Sequence, residues 1–319
     1  MDEYENDHLY PQKPTLEDSK EKSSWRTTAV SLILFILTFA YFFNDQIAFI
    51  TILVIALIIH ELGHFLLMKL FGYKDVSMVF VPMMGAFVNG KKKGYSQYES
   101  LLVVAAGPFP GMIFGFLFLL LNTQSPNELY LLVAIVFLAL NSINLLPLDP
   151  LDGGQLLRLL VSKQSDLFML IFSFLSSLIL IGIGFLLDNW LMMGFGFFLA
   201  IRVRNSQKRY QIRKIYREKK INYILDYSDL SNKEYAAMKD IILDENKLLR
   251  KLNEMGEVDN SQSILAKQVD DYLLAPMEND AHILLKIGII VFWIVSFVAP
   301  IFYLITVNPF LIDYGILYR

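Results

Sequence analysis

Long apolar runs separated by short polar links dominate this chain of 319 residues. Runs near the ~20 residues that cross a bilayer fall at about 27–43, 46–70, 101–121, 128–146, 166–187, 190–202 and 283–305. The sixth, WLMMGFGFFLAIR, is short, and residues 309–318 are apolar but too short to span, which places them at the interface. Residues 73–98 break the helical pattern. Their valines and phenylalanines lie between Pro and Gly breakers and predict one or two short strands, with a turn at Asn89-Gly90. A sizeable polar block follows the sixth run. Within it KDIILDENKLLRKLNEMG predicts an amphipathic helix with Ile241, Leu248 and Leu252 on one stripe and Gly256 as its stop.

The expected fold class is therefore an all-α multi-pass membrane protein, with about seven transmembrane helices and a small membrane-associated β segment. Four regions follow: a polar, disordered cytosolic tail at 1–26, a membrane-embedded core at 27–202, a cytosolic helical region at 203–282, and a C-terminal span and tail at 283–319. Charge orients this layout. With the N-terminus in the cytosol, the outward links 44–45, 122–127 and 188–189 hold no Lys or Arg. The inward links hold Lys91, Lys92, Lys93, Arg158, Lys163 and the run RVRNSQKRYQIRKIYREKK. That is the positive-inside pattern, and it requires the short sixth run to cross. The basic run either enforces topology or also binds the membrane surface. The polar, acid-rich start is not a secretory signal, which needs a short basic stretch directly before an apolar run.

Composition narrows the chemistry. Hydrophobic residues make up 55% of the chain, and the mean hydropathy is +0.46. A net charge of −3 argues against nucleic acid as a partner. With no cysteine, disulfides, thiolate metal sites and cysteine nucleophiles are excluded. Of four histidines, two sit inside the second apolar run, in HELGH at 60–64. Helical residues four apart share a face, so His60 and His64 can aim two imidazoles at one metal, and Glu61 can reach a water there. A charge at mid-membrane costs at least ~2.5–3.5 kcal/mol, so such groups usually serve a function. At ~1.5 Å per residue, His60 lies ~21 Å along the helix from Gln46, toward the cytosolic side.

Zinc in a catalytic site usually takes three protein ligands and keeps one position open. The other histidines, His8 and His282, lie in the tail and at the edge of the last span, so a carboxylate is the expected third ligand. NSINLLPLDPLDGG at 141–154 offers Asp149 and Asp152 on the same cytosolic side, among prolines that break the helix and glycines that allow close approach. Irregular backbone at that depth is tolerated where it is buried or lines a watery cavity.

With these two motifs the chain resembles the site-2 protease family of intramembrane zinc metalloproteases. HELGH matches its H-E-x-x-H, and NLLPLDPLDGG at 144–154 matches its second signature, Asn-x-x-Pro followed by Leu-Asp-Gly. PMMGAF around Gly85 and AAGPFPG at 105–111 are similar to further family features, and the resemblance covers roughly residues 46–160. It implies His60, His64 and Asp152 as ligands of Zn2+, Glu61 as catalytic base, and Asn144 as a support for substrate or developing charge. It also implies a transmembrane protein substrate, cut within or near its spanning helix. An edge strand near Gly85 is then expected to hold the unwound segment. Two other classes place ionisable groups in membrane helices: a metal transporter, which needs ligands spread along a pore, and a catalytically silent scaffold that keeps the fold.

Overall fold

The computed structural model describes residues 10–16, 25–42, 46–82, 85–92, 94–161, 166–186, 188, 190–246, 249–251 and 258–307. The chain forms two compact units. The first comprises Lys22–Lys92, Ser96–Ser162 and Asn279–Arg319. It contains α1 (Trp25–Phe42), α2 (Ile47–Leu70), β1 (Lys74–Val81), β2 (Gly85–Lys91), α3 (Gln97–Ala106), α4 (Pro108–Gln124), α5 (Glu128–Asn144) and α6 (Asp152–Leu160). The second comprises Met1–Glu21, Lys93–Tyr95 and Lys163–Glu278. It contains α7 (Asp166–Leu186), α8 (Trp190–Glu218), α9 (Asn232–Glu245) and α10 (Val258–Tyr272). The last helix, α11 (Ile283–Val307), belongs to the first unit. These units divide the chain at other points than its composition does.

The protein is a multi-pass membrane protein. Among the described residues, five helical stretches are long and apolar enough to cross a bilayer: Trp25–Phe42, Ile47–Leu70, Gln97–Gln124, Asp166–Leu186 and Ile283–Pro300. The stretch Gln97–Gln124 is α3 and α4 together, joined at Gly107, where Pro108 supplies a helix start that needs no N–H. Helix α5 is apolar but has only 17 residues. The expected sixth span, 190–202, is the start of the 29-residue α8, which runs unbroken into the basic stretch with no proline in its length.

The first unit is built around α2, whose 24 residues are apolar nearly all round and bury faces on both sides. Phe35 of α1, Ile50, Val54 and Leu57 of α2, and Met78 and Phe80 of β1 share one core. Ile52 and Ala56 pack instead against Val136 and Phe137 of α5. A third core gathers Leu101, Met112, Leu138, Leu145 and Leu156 with Ile289 of α11.

β1 and β2 pair antiparallel, with Met78 opposite Val88 and Phe80 opposite Ala86. The reversal follows Pro82 and ends at Gly85, whose φ of 103° only glycine adopts readily. It does not lie at Asn89-Gly90, as the sequence suggested. Asn89 pairs with Ser77 inside β2, and a Cβ on Gly90 would press on Val76, Met68 and Tyr73 at 3.2–3.3 Å. That glycine serves packing, not a turn. The outer edge of β1 is covered by α1. Thr28 Oγ1 donates to the Met78 carbonyl (2.6 Å), and the Phe80 N–H donates to Ser31 Oγ (3.1 Å).

In the second unit α7 and α8 form a helical hairpin. The Asp166 carboxylate receives Arg213 (2.7 Å) and Arg217 (3.0 Å) from α8. The amphipathic helix expected at 239–256 begins earlier and ends sooner. A capping box of Ser231 and Glu234 starts α9, and Asn246 ends it in an extended conformation. Ile241 is buried as expected, beside Met238 and Ile242, while Leu248, Leu252 and Gly256 lie outside the described residues. Part of the expected disordered tail is docked on this unit. Lys13 Nζ donates to the carbonyls of Tyr227 (2.7 Å), Ser228 (3.0 Å) and Leu230 (2.5 Å), and the Lys13 N–H donates to Asn232 Oδ1 (2.8 Å).

Candidate metal centre

Helix α2 carries His60 and His64 one turn apart, and the first residue of α6 is Asp152. All three are buried, and their ligand atoms converge. His60 Nε2 lies 3.0 Å from Asp152 Oδ2, His64 Nε2 lies 3.3 Å from the same oxygen, and the two Nε2 atoms are 3.3 Å apart. Among the described residues this is the one group of three such side chains that meets so closely.

The outer nitrogens decide what the inner ones are. His64 Nδ1 lies 2.8 Å from the Val103 carbonyl, which can only accept, so this nitrogen carries the proton. His60 Nδ1 lies 2.8 Å from Asn141 Oδ1. The Asn141 amide is held by its own Nδ2, which donates to the Phe137 carbonyl (2.7 Å), so Oδ1 is the end facing His60. In the neutral rings both Nε2 atoms are then bare lone pairs. They face Asp152 Oδ2, which is buried without a hydrogen-bond partner. Three acceptors therefore point at one another with no donor between them. Burying a carboxylate unpaired costs several kcal/mol, and a cation at their centre removes that cost. The size fits as well. Tetrahedral zinc with bonds of ~2.0–2.1 Å separates its ligand atoms by ~3.3 Å, close to the three distances seen here. Histidine ligands that donate their other N–H to a carbonyl or amide oxygen have their ring orientation fixed in advance.

Glycine makes the approach possible. A Cβ on Gly107, at the α3–α4 junction, would lie 2.2 Å from His64 Nε2, and one on Gly111 would lie 2.0 Å from Asn141 Nδ2. Gly63, inside HELGH, lets α2 meet α3, since a Cβ there would fall 1.9 Å from the Ala106 carbonyl oxygen. Gly153 seats α6 against the end of α5, where a Cβ would come within 2.0 Å of the Leu145 carbonyl oxygen.

The remaining expected residues divide. Glu61 is buried beside His60, within electrostatic reach of both histidines and Asp152. Asp149 is buried but pairs with Arg158 on α6 (3.2 Å), outside the three-residue group. Asn144 is half-buried and donates to the Leu140 carbonyl one turn back (3.1 Å). Gly85 stands at the start of β2, away from these ligands in sequence and in element. Two partners of the histidines were not anticipated. Asn141 lies in the NSIN stretch that supplied Asn144 and is its only precursor in sequence. The Val103 carbonyl has no sequence signal at all.

Residues 48–128 match the model of peptidase family M50. Over this stretch the chain is similar to an M50 peptidase domain. Two curated relatives agree: a zinc metalloprotease of Methanocaldococcus jannaschii, 31% identical over 121 residues, and stage IV sporulation protein FB of Bacillus subtilis, 35% identical over 115 residues. Each alignment covers 35% of this chain and spans 34% and 40%, respectively, of the relative's own length. The solved site-2 protease from Methanocaldococcus jannaschii aligns with 56% of this chain and 88% of its own, at 22% identity and a TM-score of 0.41. His60, Glu61 and His64 fall inside the M50 match, and Asp152 reaches the domain from beyond its end.

Proposed function

We propose that this protein is an intramembrane zinc metalloendopeptidase of the site-2 protease type, with His60, His64 and Asp152 as metal ligands and Glu61 as catalytic base. The observation that carries the reading is the triangle of three buried acceptors with no proton among them, beside a buried carboxylate that is not one of the three. Zinc held there supplies Lewis-acid polarisation and lowers the pKa of water to ~7. Glu61 takes the proton of the attacking water as the new C–O bond forms, and then passes it to the amide nitrogen, so that the C–N bond breaks and the amine leaves neutral. Asn141 and the Val103 carbonyl hold the two imidazoles.

The substrate in this reading is the transmembrane segment of another protein, since the centre lies within an apolar helix. Its amides are hidden by helical hydrogen bonds and must be exposed before attack. A sheet edge can hold such an unwound segment. The β1 edge is already taken by Thr28 and Ser31, which leaves β2. Met78 and Phe80 turn their backbone groups away from β2. Their partners Val88 and Ala86 must then turn theirs outward too, by the alternation of an antiparallel pair. Gly85 enters as the turn that sets this strand. The placement is the cell membrane, with the N-terminus and residues 203–282 in the cytosol, supported by the distribution of Lys and Arg along the chain.

The test is cleavage of a single-span reporter by purified protein and by Glu61→Gln, with zinc content measured in both. Cleavage by the wild type alone, with zinc in both, is the expected result. Cleavage retained in Glu61→Gln overturns the mechanism, and absence of zinc from both overturns the site.

A further inference from the structure

We infer that the C-terminal span holds the metal centre in register from behind, with Trp293 of α11 and Asp280 just before it as positioning residues for the ligands; this rests on the zinc reading above. Trp293 has one polar atom, its indole N–H, and donates it to the Leu145 carbonyl at 2.6 Å. That carbonyl belongs to the residue that ends α5, where helical carbonyls lack partners and an apolar interior offers none. Leu145 is fully buried, and its carbonyl oxygen is the atom against which Gly153 packs, one residue from Asp152. The Leu145 N–H in turn donates to the Asn141 carbonyl (3.0 Å), and Asn141 orients His60. A single indole N–H thus fixes the turn between the orienting residue of one ligand and the peptide that carries another.

A second attachment reaches the third ligand. Asp280 accepts from Ser96 Oγ (2.6 Å) and from the Tyr98 N–H (3.0 Å), so it caps α3 from across the chain. Ser96 itself caps the same helix through the Glu99 N–H (3.1 Å). Helix α3 presents the Val103 carbonyl to His64 Nδ1. Around these two bonds Leu285, Ile289, Phe292, Phe297 and Tyr303 pack against the core that includes Leu101, Leu145 and Leu156. Helix α11 lies outside the M50 match, so this brace is an addition to the matched domain.

The experiment uses the full chain in detergent, loaded with cobalt in place of zinc. It reads stoichiometry, the visible absorption bands, the half-time of release to a chelator, and the melting temperature. Trp293→Phe keeps the ring and removes the donor; it is expected to bind one cobalt, shift the bands, and release the metal ~10-fold faster. Asp280→Ala, at an exposed position, is expected to speed release by ~3-fold with the fold intact. Phe297→Leu is the packing control, expected to lower the melting temperature while releasing cobalt at the wild-type rate. Wild-type release and bands in both Trp293→Phe and Asp280→Ala overturn the inference, as does Phe297→Leu releasing as fast as Trp293→Phe. Should Trp293→Phe not fold, Asp280→Ala decides. Wild-type protein that takes up neither cobalt nor zinc overturns the zinc reading itself, and the brace with it.

Discussion

At the scale of single residues, the centre asks different things of residues that look alike in sequence. Glu61 and Asp152 are both buried carboxylates, but one oxygen of Asp152 is pressed against two imidazole nitrogens, whereas Glu61 is not among the three converging ligands. Glu61→Gln is therefore expected to lower the rate of reporter cleavage by ~10²–10⁴-fold with zinc content unchanged, because proton transfer is lost and coordination is not. Asn141 and Asn144 differ in the same way. Asn141→Leu leaves the His60 ring without its acceptor and is expected to weaken zinc binding by ~10–100-fold, measured by competition with a chelator. Asn144→Ala, which removes a bond to a carbonyl of its own helix, is expected to leave zinc affinity unchanged. The histidines were legible because their spacing is local: i and i+4 share a face in any helix. Asn141 was not. Two asparagines three residues apart fit one helix equally well, and only the packing of α5 against α2 selects the one that meets His60.

At the scale of elements, the contacts that bring ligands together are backbone approaches, so the sensitive positions are glycines and edges. Gly63→Ala places a methyl on the Ala106 carbonyl and must push α3 from α2. It is expected to cost ~1–3 kcal/mol of stability and to reduce bound zinc, read by thermal melts and metal analysis together. In the hairpin, the alternation of the ladder gives a paired test. Val88→Pro removes an N–H that points away from β1 and is expected to slow cleavage while the hairpin persists, since proline is tolerated at a free edge. Phe87→Pro removes an N–H that faces β1 and is expected to disrupt the hairpin itself, and circular dichroism with cleavage rates separates the two. The strands were readable from their Val and Phe pattern, but the turn was not. Asn-Gly is a strong local turn signal, and it yielded to a glycine needed for contact with Tyr73, Val76 and Met68 and to a reversal set by Pro82 and Gly85.

At the scale of the whole molecule, hydropathy marked where helices are apolar but could not say which of them share a core. The stretch 166–202 reads like the helices before it, yet α7 and α8 fall in a different compact unit from α2, and α11 falls in the same unit as α2. Each unit has its own buried cluster: Tyr216, Tyr235, Met238 and Val269 in one, Leu101, Met112, Leu145 and Leu156 in the other. His60, His64 and Asp152, the three side chains that converge, belong to the unit built around α2. Binding stabilises whatever part of a structure it holds together, by an amount set by ligand concentration over Kd. Chelation is therefore expected to raise amide hydrogen exchange at the ends of the elements that carry the centre, around His60–His64, Val103 and Asn141–Asp152, and to leave 210–245 unchanged. Lys13→Met is expected to do the converse, because it frees the three carbonyls of Tyr227, Ser228 and Leu230 that the ammonium now satisfies, and the helix start at Ser231 follows directly. Exchange that rises in both units on chelation would show that they open together, and the separate cores would then not be separate folding units.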